Sequence, residues 1–140
     1  MTAILLDTNA FIRIVTGAKL RSEAMDAIER AAADRCLWVS AVTAWEIGLL
    51  ADSTHTGPTL GLGPDPIGWW VRSTERTRVL QLPLDGEAAL AASYLPEPFH
   101  KDPADRMLVA QARQGDLTLT TRDRAILDYA AAGHVRAIAC

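Results

Sequence analysis

Short apolar runs alternate with helix-length stretches along the whole chain, and this alternation limits the fold more than any other feature. The runs lie at Ile4-Leu5-Leu6, Cys36-Leu37-Trp38-Val39, Val79-Leu80-Gln81-Leu82, Leu117 to Thr120 and Val135 to Ile138. Helical periodicity or capping residues mark the stretches between them: Phe11 to Val15 ending at Thr16-Gly17, Ser22 to Ala33 with Ser22 as N-cap, and a helix capped by Ser40 that carries Trp45, Glu46, Leu49 and Leu50. Further helices are expected at Ile67 to Thr74, from the cap Asp85 to near Tyr94, from Asp102-Pro103 to Gly115, and from about Arg122 to Ala132 with Gly133 as its stop. Such alternation predicts an α/β fold with a parallel sheet covered on both faces, because each parallel crossover needs a long return path that is almost always right-handed.

A chain of 140 residues, 49% of them hydrophobic, is the right size for one domain (1–140) with a substantial core. Residues 52–66 are rich in Gly, Pro, Ser and Thr without apolar periodicity and are expected to form a loop or insertion within it. Gly57, Gly61 and Gly63 in that segment are not spaced as a dinucleotide fingerprint and follow no strand. The net charge of -3 excludes a protein that holds nucleic acid by bulk positive charge, leaving only local basic patches for that purpose. Cys36 and Cys140 have no metal-ligand spacing and suit a reducing cytoplasm. No stretch approaches the length needed to span a bilayer, and the apolar start is too short for a signal core.

In an open α/β sheet the functional crevice lies outside the carboxyl ends of the strands. Four acids fall there: Asp7 ends the first strand, Glu46 follows the second, Asp105 sits in the first turn after Asp102-Pro103, and Asp123 follows the Leu117 strand. Acids at helix starts are also favoured by the helix dipole, by roughly 0.3–1 kcal/mol each. Asp102 reads as an N-cap with Asp105 at the acid position of a capping box, and Asp123 as a first-turn acid behind a Thr121 cap. Asp7 has less of an alternative, since a carboxylate ending an apolar strand is costly to desolvate unless backbone N–H groups or a cation offset it. Converging carboxylates would repel one another unless a divalent cation neutralised them, and an oxygen-only set suits Mg²⁺ or Mn²⁺, as in metal-dependent nucleases. Thr8, Asn9, Ser40, Thr120 and Thr121 could orient carboxylates or waters, or serve only as caps.

The segments Leu6-Asp7-Thr8-Asn9, Ser40-Ala41-Val42-Thr43-Ala44-Trp45-Glu46-Ile47, His100 to Ala112 through Asp102-Pro103-Ala104-Asp105-Arg106, and Leu119-Thr120-Thr121-Arg122-Asp123-Arg124 together resemble the PIN-domain family, and within it the VapC toxins of bacterial toxin–antitoxin pairs. The resemblance spans nearly the whole chain. It implies a single PIN-like domain with a central five-stranded parallel sheet flanked by helices, a Mg²⁺- or Mn²⁺-dependent endoribonuclease that cleaves RNA with a metal-activated water, and a cognate antitoxin. Its acidic positions fall on Asp7, Glu46, Asp105 and Asp123, with Asp102 accessory or capping and Thr121 matching a hydroxyl residue two before the last acid. The segment 52–66 departs from the short, basic segment that many relatives carry there.

Arg13, Arg106, Arg122 and Arg124 are candidates to hold an RNA backbone, with plain surface exposure as the alternative for each, and His100 and Lys101 read as neighbours of the site or, by the same default, as surface residues. Trp45, Trp69 and Trp70 supply apolar area for an antitoxin or dimer interface, in a homodimer or a toxin–antitoxin hetero-oligomer. Core burial is expected for Trp45. Trp69 and Trp70 point about 100° apart on one helix and are expected to leave an exposed aromatic patch. Two other readings use the same acids: a PIN-like fold that binds RNA or protein without cutting, and a receiver-type phosphoacceptor. The latter wants an acidic pair beside the first strand and a lysine after the last, and neither is present.

Overall fold

A computed structural model describes residues 2–51 and 60–140. Its strands β1 (Ile4–Leu6), β2 (Leu37–Ser40), β3 (Leu80–Leu82), β4 (Thr118–Thr121) and β5 (Arg136–Ala139) form one sheet in the order β3-β2-β1-β4-β5. Every pairing in it is parallel, as the alternation of strands and helices predicts. The chain builds β1, β2 and β3 outward in one direction and then returns to lay β4 and β5 on the other side of β1. The order therefore reverses between β1 and β4, and the crevice of such a sheet opens at that reversal.

The pleat sends alternate residues to opposite faces, which gives two cores. Leu5 and Leu119, paired in register, face one layer with Leu108, Ile126 and Tyr129, while Ile4, Leu6 and Val39 face the other with Phe11, Ala24 and Ile28. The first layer is built by helices α5 (Gly86–Ser93), α6 (Pro103–Gln114) and α7 (Arg124–Ala131), the second by α1 (Thr8–Thr16), α2 (Ser22–Ala33) and α4 (Pro66–Thr77). Helix α3 (Ala41–Ala51) sends Val42 to the first layer and Ile47 to the second. Among the described residues no helix is long and apolar enough to cross a membrane.

Several boundaries differ from expectation. β2, β4 and β5 each begin one residue later than the apolar run suggests and include Ser40, Thr121 and Ala139, because pairing of Ser40 with Leu82 in β3 and of Thr121 with Ala139 extends the ladder past the apolar runs. Helix α2 is capped by Arg21 without a side-chain hydrogen bond, and Ser22 is already its first helical residue. Helix α7 starts at Arg124 behind Asp123, so Asp123 is the cap itself and Thr121 belongs to the strand. Helix α4 starts at Pro66, capped by Asp65, and runs past Thr74 to Thr77, where Arg78 takes a left-handed conformation (φ 57°) and ends it. Of the segment 52–66, residues 52–59 lie outside the described residues.

The tryptophans correct the sequence reading. Trp45 is 54% exposed, because α3 is apolar nearly all round and its sequence does not mark the inner face. Trp69 and Trp70 are both half-buried against the second core, leaving no exposed pair. The Trp70 ring meets Phe11 at 5.3 Å and its Nε1 donates to Gln81 Oε1 at 3.0 Å.

Candidate active site

The switch-point crevice is a cavity of about 510 Å³, and four carboxylates line it: Asp7, Glu46, Asp105 and Asp123. Thr8, Asn9 and Arg122 complete its polar wall, and Ile12 and Leu50 its apolar one. Residues more than a hundred positions apart meet here because β1 and β4 are neighbours, paired through Leu6 and Thr120.

Asp7 leaves β1 and caps α1, with Oδ1 accepting from the Ala10 N–H at 2.7 Å. Asp123 does the same for α7, accepting from the Ile126 N–H at 3.0 Å. Thr121 lies between these two acids: its Oγ1 accepts from the Asp123 N–H at 3.0 Å, and its side chain partly offsets the rise of the Asp7 pKa. Glu46 reaches the cavity from α3 and accepts from the Thr8 hydroxyl, which is also 3.0 Å from the hydroxyl of Thr43.

Capping alone does not account for Asp7. Asp85 makes the same bond at the start of α5, accepting from the Ala88 N–H at 2.8 Å, but lies in water, and its hydrogen bonds hold its pKa below the usual carboxylate value. Asp7 has the cap, but burial pushes its pKa up, and the charges of Asp123 and Glu46 add to the rise. Burial also raises Glu46, with a smaller contribution from Asp102. Asp105 is raised to about 7, first by burial and then by repulsion from Asp102, Asp123, Glu46 and Asp7.

Asp105 is not the acid of a capping box. Asp102 caps α6, its Oδ1 accepting from the Asp105 N–H at 2.9 Å, while the Asp102 N–H goes to His100 Nδ1 at 3.3 Å. The Asp105 carboxylate is thereby left to face the cavity, with Oδ2 3.3 Å from His100 Nε2. That nitrogen is buried and has no well-aligned hydrogen-bond partner. The sequence leaves His100 as a neighbour of the site or a surface residue, and the structure places it against Asp105.

The other nominated residues divide. Ser40 is fully buried and turned away from the cavity: its Oγ accepts from the Val42 N–H at 3.0 Å and donates to Gln111, tying β2 to α6. Thr120 is fully buried beside β1 and does not line the cavity. Arg106 is not a surface cation for RNA. Its side chain is 13% exposed and donates to the carbonyls of Ala92, Phe99 and His100 at 2.7, 3.3 and 3.2 Å, so it holds the 92–100 segment in place. Arg13 donates to the Lys19 carbonyl at 3.2 Å, and Arg124 lies 3.4 Å from Asp128 on its own helix. Arg122 alone of the four arginines lines the cavity.

The donor set fits a hard divalent cation. Oxygen ligands predominate, one ligand atom each from His100, Asp105 and Asp123 lies within 4.8 Å of the others, and burial, with the neighbouring acids adding to it, makes the charged forms of Asp7 and Asp105 costly without a cation.

The comparisons with known proteins agree with the fold. The PIN domain family model matches residues 4–132. No curated protein sequence matches the chain significantly. Among solved structures, the chain is similar to VapBC2 from Rickettsia felis bound to a DNA fragment from its promoter, with TM-score 0.70 and 11% identity over 99% of each chain. It is similar to FitAcB from Neisseria gonorrhoeae, with TM-score 0.58 and 23% identity over 96% of each chain. It is also similar to VapBC-5, of the VapBC family of toxin–antitoxin systems, from Mycobacterium tuberculosis, with TM-score 0.60 and 20% identity over the full length of both.

Proposed function

The chain belongs to the PIN-domain family, and on that premise we propose that it is the toxin of a toxin–antitoxin pair, a Mg²⁺- or Mn²⁺-dependent endoribonuclease. The observation that carries this reading is the convergence of Asp7, Glu46, Asp105 and Asp123 on one cavity at the switch point, three of them with raised pKa values. A fold stabilised only by helix caps would not concentrate charge that repels itself.

In this reading the four acids hold the cation, and Thr8, Thr121 and His100 fix the orientation of Glu46, of Asp123 and of Asp105 respectively. When bound, the cation lowers the pKa of a water and neutralises charge on the scissile phosphate. No side chain of this site need serve as general base. Asn9 lines the cavity and offers a neutral amide to the substrate.

The antitoxin is inferred from the toxin–antitoxin names of the similar structures and from this chain's surface. Trp45, Leu49 and Leu50 are about half exposed on α3, and Leu50 reaches the wall of the acid cavity, so a partner that covers this apolar stripe also covers the site. The free cysteines Cys36 and Cys140 suit a reducing cytoplasm.

The test is cleavage of a structured RNA by the purified chain, followed on a denaturing gel with Mn²⁺, with Mg²⁺ and with excess EDTA. Cleavage in both metals and none in EDTA is expected. Equal cleavage in all three, or none in any, would contradict the reading.

A further inference from the structure

Next to the acid cavity lies a second one of about 230 Å³ that carries the opposite charge: Lys19, Arg21 and Arg122 line it together with the apolar Leu20, Leu127, Ala139 and Cys140. Arg122 lines both cavities, so the two share a wall. Sequence alone does not group these residues, since Lys19 and Arg21 precede α2 while Arg122 follows β4.

Most arginines of this protein are tied to the protein itself. Arg76 and Arg113 donate to carbonyls, Arg106 to three of them, and Arg124 and Arg136 pair with Asp128 and Asp116. Among the described residues, Lys19, Arg21 and Arg122 have neither a carboxylate within 4.0 Å nor a side-chain hydrogen bond, as is also true of Arg35, Arg72, Arg78 and Lys101, but these three alone share one cavity beside the acids. The loop that presents two of them is nevertheless held. Gly17 takes φ 76° to end α1, the Ala18 N–H donates to the Arg13 carbonyl at 2.8 Å, and Arg13 Nε donates to the Lys19 carbonyl at 3.2 Å. Arg13 thus positions the loop from behind. Burial pushes the Cys140 thiol up to about 11, so no thiolate competes for the cations.

We propose that the Lys19–Arg21–Arg122 cavity binds a phosphodiester of single-stranded RNA adjacent to the one held at the acid cavity. This rests on the ribonuclease reading of the acid site. A chain of net charge -3 with a carboxylate-lined cavity repels a polyanion, and a local cation cluster on the shared wall counters that repulsion where the strand must pass. Guanidinium groups suit phosphate oxygens, and Leu20 and Leu127 offer apolar contact to the adjoining sugar.

The experiment measures fluorescence anisotropy of a labelled single-stranded RNA of about 12 nucleotides with the full chain in EDTA, as a function of salt, and cleavage of the same RNA in Mn²⁺. Lys19→Ala/Arg21→Ala is expected to weaken binding roughly tenfold or more and to make the slope of log K against log salt shallower by up to about 0.7, the value for one phosphate contact on a single strand. KM should rise with kcat within about twofold. Arg136→Ala, at the opposite end of the sheet, should change neither, and unaltered melting of the double variant establishes that it folds. A double variant with unchanged affinity, salt slope and KM, while the wild type cleaves, overturns this inference and leaves the ribonuclease reading standing. Loss of binding to a partner protein with RNA binding intact overturns it equally. A wild type that neither binds nor cleaves RNA overturns both.

Discussion

Asp7→Asn is expected to reduce RNA cleavage by on the order of 10³-fold or more while leaving the fold intact. The amide keeps the cap, because Asn offers the same oxygen to the Ala10 N–H and ranks with Asp as an N-cap. It removes the charge. Loss even of a group that merely orients a metal ligand costs 10–100-fold, and loss of a ligand should cost more. Burial already raises the Asp7 pKa, so the neutral side chain should not lower the melting temperature in EDTA and should tend to raise it. Asp85→Asn is the matched control, since it removes the charge from the same kind of cap in water and outside the acid cavity, and should leave cleavage unchanged. Cleavage by Asp7→Asn within tenfold of wild type would reduce Asp7 to a cap.

The second large effect is on stability, and its sign follows from Asp105. Its folded pKa of about 7 lies above the unfolded value of 3.8, so between these pH values the folded state binds more protons than the unfolded chain. Stability must therefore fall as pH rises through that window and level off above about 7. Three pKa units correspond to at most about 4 kcal/mol, and partial solvent exposure of the side chain, 23%, reduces that. In EDTA the wild type should lose stability from pH 5 to pH 8, as read from denaturant midpoints, whereas Asp105→Asn should lose much less and exceed wild type at pH 8 by roughly 1–3 kcal/mol. Saturating Mn²⁺ should reverse that order, since a ligand at 100 times its Kd adds about 2.7 kcal/mol to the state that binds it. A variant that is less stable than wild type in EDTA at pH 8 would mean that Asp105 supports the fold and is not held there against its own electrostatics.

These effects separate what the sequence makes visible from what it hides. Periodicity, caps and the strand-end acids are local, so the parallel sheet and the four carboxylates can be read from segments a few residues long. Asp7, Glu46, Asp105 and Asp123 line one cavity because β1 and β4 are neighbours, an order consistent with the alternation of strands and helices but not specified by it. Local reasoning is weakest where several fates share one chemistry. Arg106 and Arg122 look alike in sequence, yet one is buried beneath three carbonyls and the other stands between two cavities. Asp105 occupies a capping-box position, but its carboxylate faces its fellow acids because His100 Nδ1, not Asp105, receives the Asp102 N–H. Trp45 is exposed on a helix that is apolar nearly all round, where hydrophobicity marks no inner face. Lys19 and Arg21 carry no local signal, and only the fold of the Gly17 loop brings them to Arg122.

The central claim is that the four carboxylates form a cation site and not a set of helix caps that happen to be close. It is tested most directly by the anomalous difference map of crystals soaked in Mn²⁺. The account predicts a peak inside the acid cavity, with oxygens from at least two of Asp7, Glu46, Asp105 and Asp123 within about 2.0–2.2 Å. A map with no peak there, or with Mn²⁺ only on exposed carboxylates such as Asp116, would contradict it.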